Sequence, residues 1–171
     1  KNAFLIQVVT EFTAGGGDAH WSNSANWTSG VPTATAVAFI GNNQTVTLSQ
    51  AGAAAQVLTL GHATGTYPGH GTLQQTSGDL TIGQYLAIGL DGYTGNYTAT
   101  GESRLTVGSP DQRASFYIAR SVTNITANPQ STFDLSQAAE FTAYLDEWII
   151  GQRVGGSEPN YGKPYALIKL A

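Results

Sequence analysis

A weak repeat of 28 to 32 residues runs through the last two thirds of the chain and restricts its fold more than any single residue does. Four apolar segments mark its beat: Val57–Gly61, Tyr85–Gly89, Phe116–Arg120 and Glu147–Gly151. From Gly61 to Gly89, Ala119 and Gly151 the steps are 28, 30 and 32 residues. A second beat falls between them, at Leu80–Gly83, Leu105–Gly108 and Phe141–Tyr144. A period of this size arises when one supersecondary unit stacks on copies of itself. Each unit here consists of short strands and Gly-rich turns. The expected fold is therefore all-β: a short β-solenoid, read as a right-handed parallel β-helix, with an N-terminal cap. The same short strands also suit an antiparallel β-sandwich or jelly roll, which is the alternative.

The 171 residues are enough for one domain with a real core, and no linker divides them. The expected layout is an N-terminal strand over 1–13, a Gly hinge over 14–18, a Trp-containing cap over 19–48 and repeat rungs over 49–171. Charged residues make up 11%, against roughly 25% in ordinary globular domains, and hydroxyl and amide side chains fill the gap. Such a neutral polar surface is common on extracellular β proteins. A net charge of −4 with 7 Lys plus Arg leaves nothing to neutralise phosphates, which argues against nucleic acid. Cysteine is absent, so neither a disulfide nor a thiolate metal site can form. Methionine is absent too, even at position 1, so the chain is expected to begin after processing or to be a fragment. No apolar run approaches the roughly 18 to 20 residues of a membrane span.

Along the chain, Phe4, Leu5, Ile6, Val8, Val9 and Phe12 make residues 1–13 dense in β-formers. Ala14-Gly15-Gly16-Gly17-Asp18 follows and reads as a flexible hinge. The stretch His20–Trp27 places a Ser/Asn cluster between two tryptophans, the pattern of a tight loop with Asx turns. Its tryptophans are expected to pin the loop onto the end of the core, because a solenoid's terminal rung is otherwise an open edge. Only 49–56 and 134–147 carry any helical character, and the register of the repeat favours strands in both.

Certain residues resemble a known group. Trp21-x-Asn23-x-x-Asn26-Trp27-x-x-Gly30-Val31-Pro32-Thr33, followed by Val37-Ala38-Phe39-Ile40, is similar to the opening of bacterial secreted proteins with autotransporter-passenger-like β-helix repeats. The segment Thr45–Ala54 leading into Val57–Gly61, and the rungs Gly78–Gly83 and Gly101–Gly108, resemble their repeats; the likeness covers roughly residues 20–110. It implies an extracellular β-helix, often part of a larger surface protein, with no catalytic residues to carry over. Where such sequences often place Asp after the Pro-Thr element, this chain has Ala34, Thr35 and Ala36.

Candidate chemistry is sparse. His20, His62 and His70 lack the spacing of a zinc motif and read as solvent-facing turn residues. Asp18, His20 and Ser22 offer triad residue types, but three neighbours in one Gly-rich loop do not make a nucleophile–base–orienter geometry. Asp79, Asp91, Glu102, Asp111 and Asp134 could include an acid pair of a polysaccharide-active enzyme, with Arg104, Arg113 and Arg120 as the cations nearest the middle rungs. Nothing places two acids on one face, so the chain reads as non-catalytic. No cofactor is expected; calcium is the one metal considered, through the oxygens of Asp91-Gly92 and Asp146-Glu147, without any recognised calcium loop. Tyr67, Tyr93, Tyr97 and Tyr161 could stack on sugar rings, or stand in structural ladders with Tyr85, Tyr117 and Trp148. Four N-x-T sequons, at Asn26, Asn43, Asn96 and Asn124, are candidate glycosylation sites.

The expected role is a secreted or cell-surface structural protein: a self-assembling subunit of a fibre, surface layer or adhesin. Its partners would be copies of itself, joined by donation of the strand over 1–13 across the hinge Gly15, Gly16 and Gly17. That same strand could instead pair within its own domain. The alternative function is a non-catalytic carbohydrate-binding module acting on polysaccharide.

Overall fold

The computed structural model describes residues 7–123, 125–154 and 162–170. Phe4, Leu5 and Ile6 of the expected first strand, the sequon residue Asn124, the turn over 155–159 and Tyr161 lie outside the described residues. The strands begin with β1 (Val9–Glu11), β2 (Val37–Ile40), β3 (Gln44–Leu48), β4 (Ala53–Leu60) and β5 (Gly71–Gln75). They continue with β6 (Asp79–Leu90), β7 (Gly95–Thr100), β8 (Arg104–Val107), β9 (Ala114–Arg120) and β10 (Gln130–Gln137). The last are β11 (Glu140–Ala143), β12 (Leu145–Ile150) and β13 (Tyr165–Lys169). A 3-10 turn at Ser24–Asn26 is the sole helical element among the described residues.

The protein is all-β, built on two parallel sheets. The larger runs β1-β2-β4-β6, then continues through β8 to β11 and through β9 to β12; the other runs β3-β5-β7-β10-β13. Every pairing between these strands is parallel. That corrects the antiparallel β-sandwich or jelly-roll alternative. Antiparallel neighbours are joined by tight hairpins. Here no two consecutive strands from β2 onward pair with each other.

Register explains the repeat. Ala38, Leu58, Leu86, Phe116 and Trp148 occupy one position across the larger sheet, and Ile40, Leu60, Ile88, Ile118 and Ile150 occupy another two residues on. Side chains two apart on a strand share a face, so both columns point inward. Leu80, Leu105 and Phe141, the second beat, also align. Across the second sheet Val46, Leu73, Tyr97, Phe133 and Ile168 form the opposing column. These columns meet in one continuous core. Each fully buried Leu, Ile or Phe in it contributes roughly 1.5–3 kcal/mol.

The residue after the second column marks a corner where the chain leaves the larger sheet. After β4, β6, β9 and β12 it adopts positive φ: 72° at Gly61, 80° at Gly89, 54° at Ala119 and 63° at Gly151; after β2 the position is held by Gly41, which does not. Glycine tolerates that conformation; Ala119 bears a steric cost of about 1–2 kcal/mol. The beat seen in the sequence is this backbone requirement.

Among the described residues of the first 13, strand spans Val9–Glu11, paired parallel with β2 of its own chain, with Phe12 bridging to Trp27. Within the segment expected as a cap, 19–48, β2 and β3 pair in register with β4 and β5. The Ala-rich 49–56 stretch enters β4 at Ala53, and 134–147 is strand in β10, β11 and β12.

Candidate functional site

The two ends of the sheets are built differently. At the start, Phe12, Trp21 and Trp27 pack edge to face, with ring centroids 5.1 Å and 5.0 Å apart, and Trp27 Nε1 donates to the Trp21 carbonyl at 2.8 Å. Trp21 is fully buried. The loop carrying it is held by Asp18, whose carboxylate accepts from the His20 backbone N–H and from the amides of Asn23 and Asn26. Those bonds, the His20 N–H first, hold the Asp18 carboxyl below its ordinary pKa of 3.8.

This loop also closes the backbone edges. The Trp21 N–H donates to the Thr47 carbonyl and the Thr47 N–H to that of Ala19, at 2.9 and 2.8 Å, which covers β3. Thr28 covers β1, donating its N–H to the Glu11 carbonyl and accepting the Glu11 N–H on its hydroxyl. The Gly15-Gly16-Gly17 segment is bonded into the cap: the Gly16 N–H donates to Asn26 Oδ1 at 2.8 Å and the Gly17 N–H to the Ala14 carbonyl at 3.2 Å.

At the far end, β11, β12 and β13 each pair on one side only. Nothing among the described residues pairs along their outer edges. The inner columns end here in the open. Trp148 stacks on Phe116 with rings 2° from parallel and centroids 5.8 Å apart, and its own outer side leaves it 44% exposed. Ile150, of the second column, is 47% exposed, and Leu167, on the outer face of β13, 39%. A cavity of about 230 Å³ lined by Leu135, Ala138, Ala139, Glu140, Phe141 and Leu170 opens at the same end. The charges are divided. Exposed Asp146 and Glu147 lie on β12, with the Glu147 carboxylate accepting from the Tyr117 hydroxyl, while Lys169 on β13 contacts Asp134 at 2.7 Å. That contact, with Ser136, lowers the Asp134 carboxyl from 3.8 to about 2.

The predicted sites fare unevenly. Tyr97 is fully buried against Phe133, with its hydroxyl on the Gln75 amide oxygen, so it has no face for a sugar. Burial raises its pKa. Tyr67 and Tyr93 remain half-buried at the surface, Tyr93 with its ring 5.7 Å from that of His70. Tyr85 and Tyr117 meet edge to face at 5.1 Å on the outer side of the larger sheet, with the Arg120 guanidinium 4.3 Å from the Tyr117 ring centre. Burial pushes Tyr85 up to about 12. Asn26 is also fully buried, and its amide donates to Asp18 and the His20 carbonyl, so it is no acceptor for a glycan. Asn43 is exposed and Asn96 half-buried.

His62 is not a solvent-facing turn residue but lies 1% exposed against Phe39, ring centroids 4.7 Å apart. The loop that follows it is tied down by Glu11, whose carboxylate accepts the backbone N–H groups of Thr66 and Tyr67. No spacing in the sequence connects Glu11 with that loop. Of the calcium candidates, Asp91 already accepts from the Val122 N–H and the Thr123 hydroxyl. No cluster of three His, Cys, Asp or Glu suited to a metal occurs among the described residues. Arg104 lies between Asp79 at 3.7 Å and Glu140 at 3.6 Å, and Arg113 donates to the Leu145 carbonyl. No described helix is long and apolar enough to cross a membrane.

Comparison with protein-family models, with curated proteins and with solved structures finds no match.

Proposed function

We propose that this chain is a short right-handed β-solenoid serving as a self-associating structural module of an extracellular surface layer, fibre or adhesin. The single observation that carries this reading is the asymmetry of the ends among the described residues: one sealed by tryptophans and backbone hydrogen bonds, the other with three unpaired parallel edges and exposed apolar columns. Unpaired edges template further strand pairing, and natural proteins blunt them unless they are used. Parallel strands joined by crossovers are right-handed in nearly all proteins, which supports the hand. The neutral, cysteine-free surface and the resemblance of residues 20–110 support the extracellular setting. Assembly is assigned to the open end. Donation of β1 would require two copies to exchange a strand already paired to β2, together with the buried Phe12.

Sedimentation velocity and negative-stain electron microscopy over a concentration series test this. The expected result is reversible, concentration-dependent association. Single particles at every concentration would overturn it. A second reading, a carbohydrate-binding module, is favoured by the half-buried Tyr93 beside exposed His70. It requires a glycan whose binding changes when Tyr93→Ala is introduced, in a protein that stays monomeric.

A further inference from the structure

Resting on the self-association reading, we propose that the partner is a second copy joined tail to tail: the β11–β12–β13 end docks on the same end of another molecule in a closed two-fold dimer. Within it, β12 pairs antiparallel with β13 of the second copy.

The occupant must present backbone, because the edges display rows of N–H and C=O groups that a sugar or lipid cannot match in register. A copy arriving head to tail would offer the capped end. There the β3 edge is already bonded to Ala19 and Trp21, and the β1 edge to Thr28. The like end is therefore the open edge that the described residues supply. Two like ends meet isologously, and a two-fold axis lying across the strands makes their pairing antiparallel.

The side chains are complementary in that arrangement. Placing Trp148 opposite the second copy's Ile168 sets Ile150 opposite Ala166, so the inward columns of the two cores join. Both Trp148 and Ile150 gain the cover that the described residues do not give them. With the two-residue period of strands, the outward positions then follow without freedom. Glu147 lies opposite Lys169, and Ile149 opposite Leu167. The two-fold repeats the ion pair, giving it twice per dimer. Lys169 has three ammonium donors and keeps its contact with Asp134 while reaching Glu147. On the axis β11 meets its own copy about Thr142, a favourable cross-strand pair.

The test is charge exchange in the full chain. Sedimentation equilibrium would compare wild type with Glu147→Lys, Lys169→Glu and the double variant, with circular dichroism as the check on folding. A monomer–dimer equilibrium is expected for wild type. Each single reversal is expected to weaken the dimer about tenfold, by turning an attraction into a repulsion at two sites, and the double variant to restore it to within about threefold. Should a reversal disturb folding, Glu147→Gln and Lys169→Gln remove the attraction alone and are expected to weaken the dimer about threefold. Open filaments would overturn the closed dimer while leaving self-association standing. Dimers indifferent to all these changes would overturn this register and the proposal. Monomers at every concentration would overturn both this inference and the reading on which it rests.

Discussion

Tryptophan ends the structure twice, in opposite ways. Trp21 sits under a loop whose backbone completes the hydrogen bonding of β3, so the first pass of the chain is finished. Trp148 stacks on Phe116 and shows its other face to solvent on a strand with one partner. The same kind of side chain is core at one end and 44% exposed at the other. A stack of parallel strands has no intrinsic stopping point, since each layer needs the next to cover it. The first end supplies a stop from its own sequence, whereas the described residues of the last end supply none.

The comparison breaks most sharply at the tryptophans. Trp21→Ala is expected to cost about 3–5 kcal/mol in chemical denaturation, since it empties a closed site. Trp148→Ala, measured at a concentration where the chain is monomeric, is expected to cost only about 1–2 kcal/mol, because much of its area is already wet. Equal losses would mean that the last strands are as enclosed as the first.

The corner glycines give the next contrast. A Cβ on Gly61 would press into the Thr94 carbonyl, while one on Gly151 finds its nearest neighbour, the Pro164 oxygen, at 3.8 Å. Both positions have positive φ. Gly151→Ala is therefore expected to cost about 1 kcal/mol for the conformation alone, and Gly61→Ala about 3 kcal/mol with the clash added. Thermal melts of the two variants sharpen or remove the difference.

The smallest effect is on pH dependence near the capped end. Loss of hydration holds the His62 pKa below its ordinary 6.5, opposed by its hydrogen bond to the Thr64 carbonyl and by Glu11. The folded value lies below the unfolded one, so the unfolded chain binds more protons as pH falls. This contribution to stability is complete above about 6.5 and declines below it toward the folded pKa. His62→Leu is expected to flatten the stability profile between pH 6.5 and the acid side, read from denaturation midpoints. An unchanged profile would show that His62 is wetter than its burial implies.

Much of the architecture was legible because it is periodic. Gly61, Gly89 and Gly151 recur where the backbone needs positive φ, and Ala119 keeps the place in a pass that lacks glycine. Trp21, Asn23 and Asn26 announced the loop that they form. The site residues were less legible. Tyr97 looks like any other tyrosine until its register with Leu73 and Phe133 places it inward. Asn26 carries a sequon and His62 lies next to a Gly-rich turn, yet both are buried by segments distant in sequence. Glu147 and Lys169 show no pattern at all; that they stand on strands with one partner each follows only from the sheet order.

By itself the sequence determined that short strands recur at a period of 28 to 32 residues and where the corners fall, since these follow from strand-forming residues and from local backbone sterics. Only the tertiary structure decided that the pairing is parallel, that the cap closes both first edges and that, among the described residues, the last three strands have one partner each. Those facts concern hydrogen bonds between segments about one repeat apart, and a backbone donor or acceptor carries no mark in the sequence of the partner it will find.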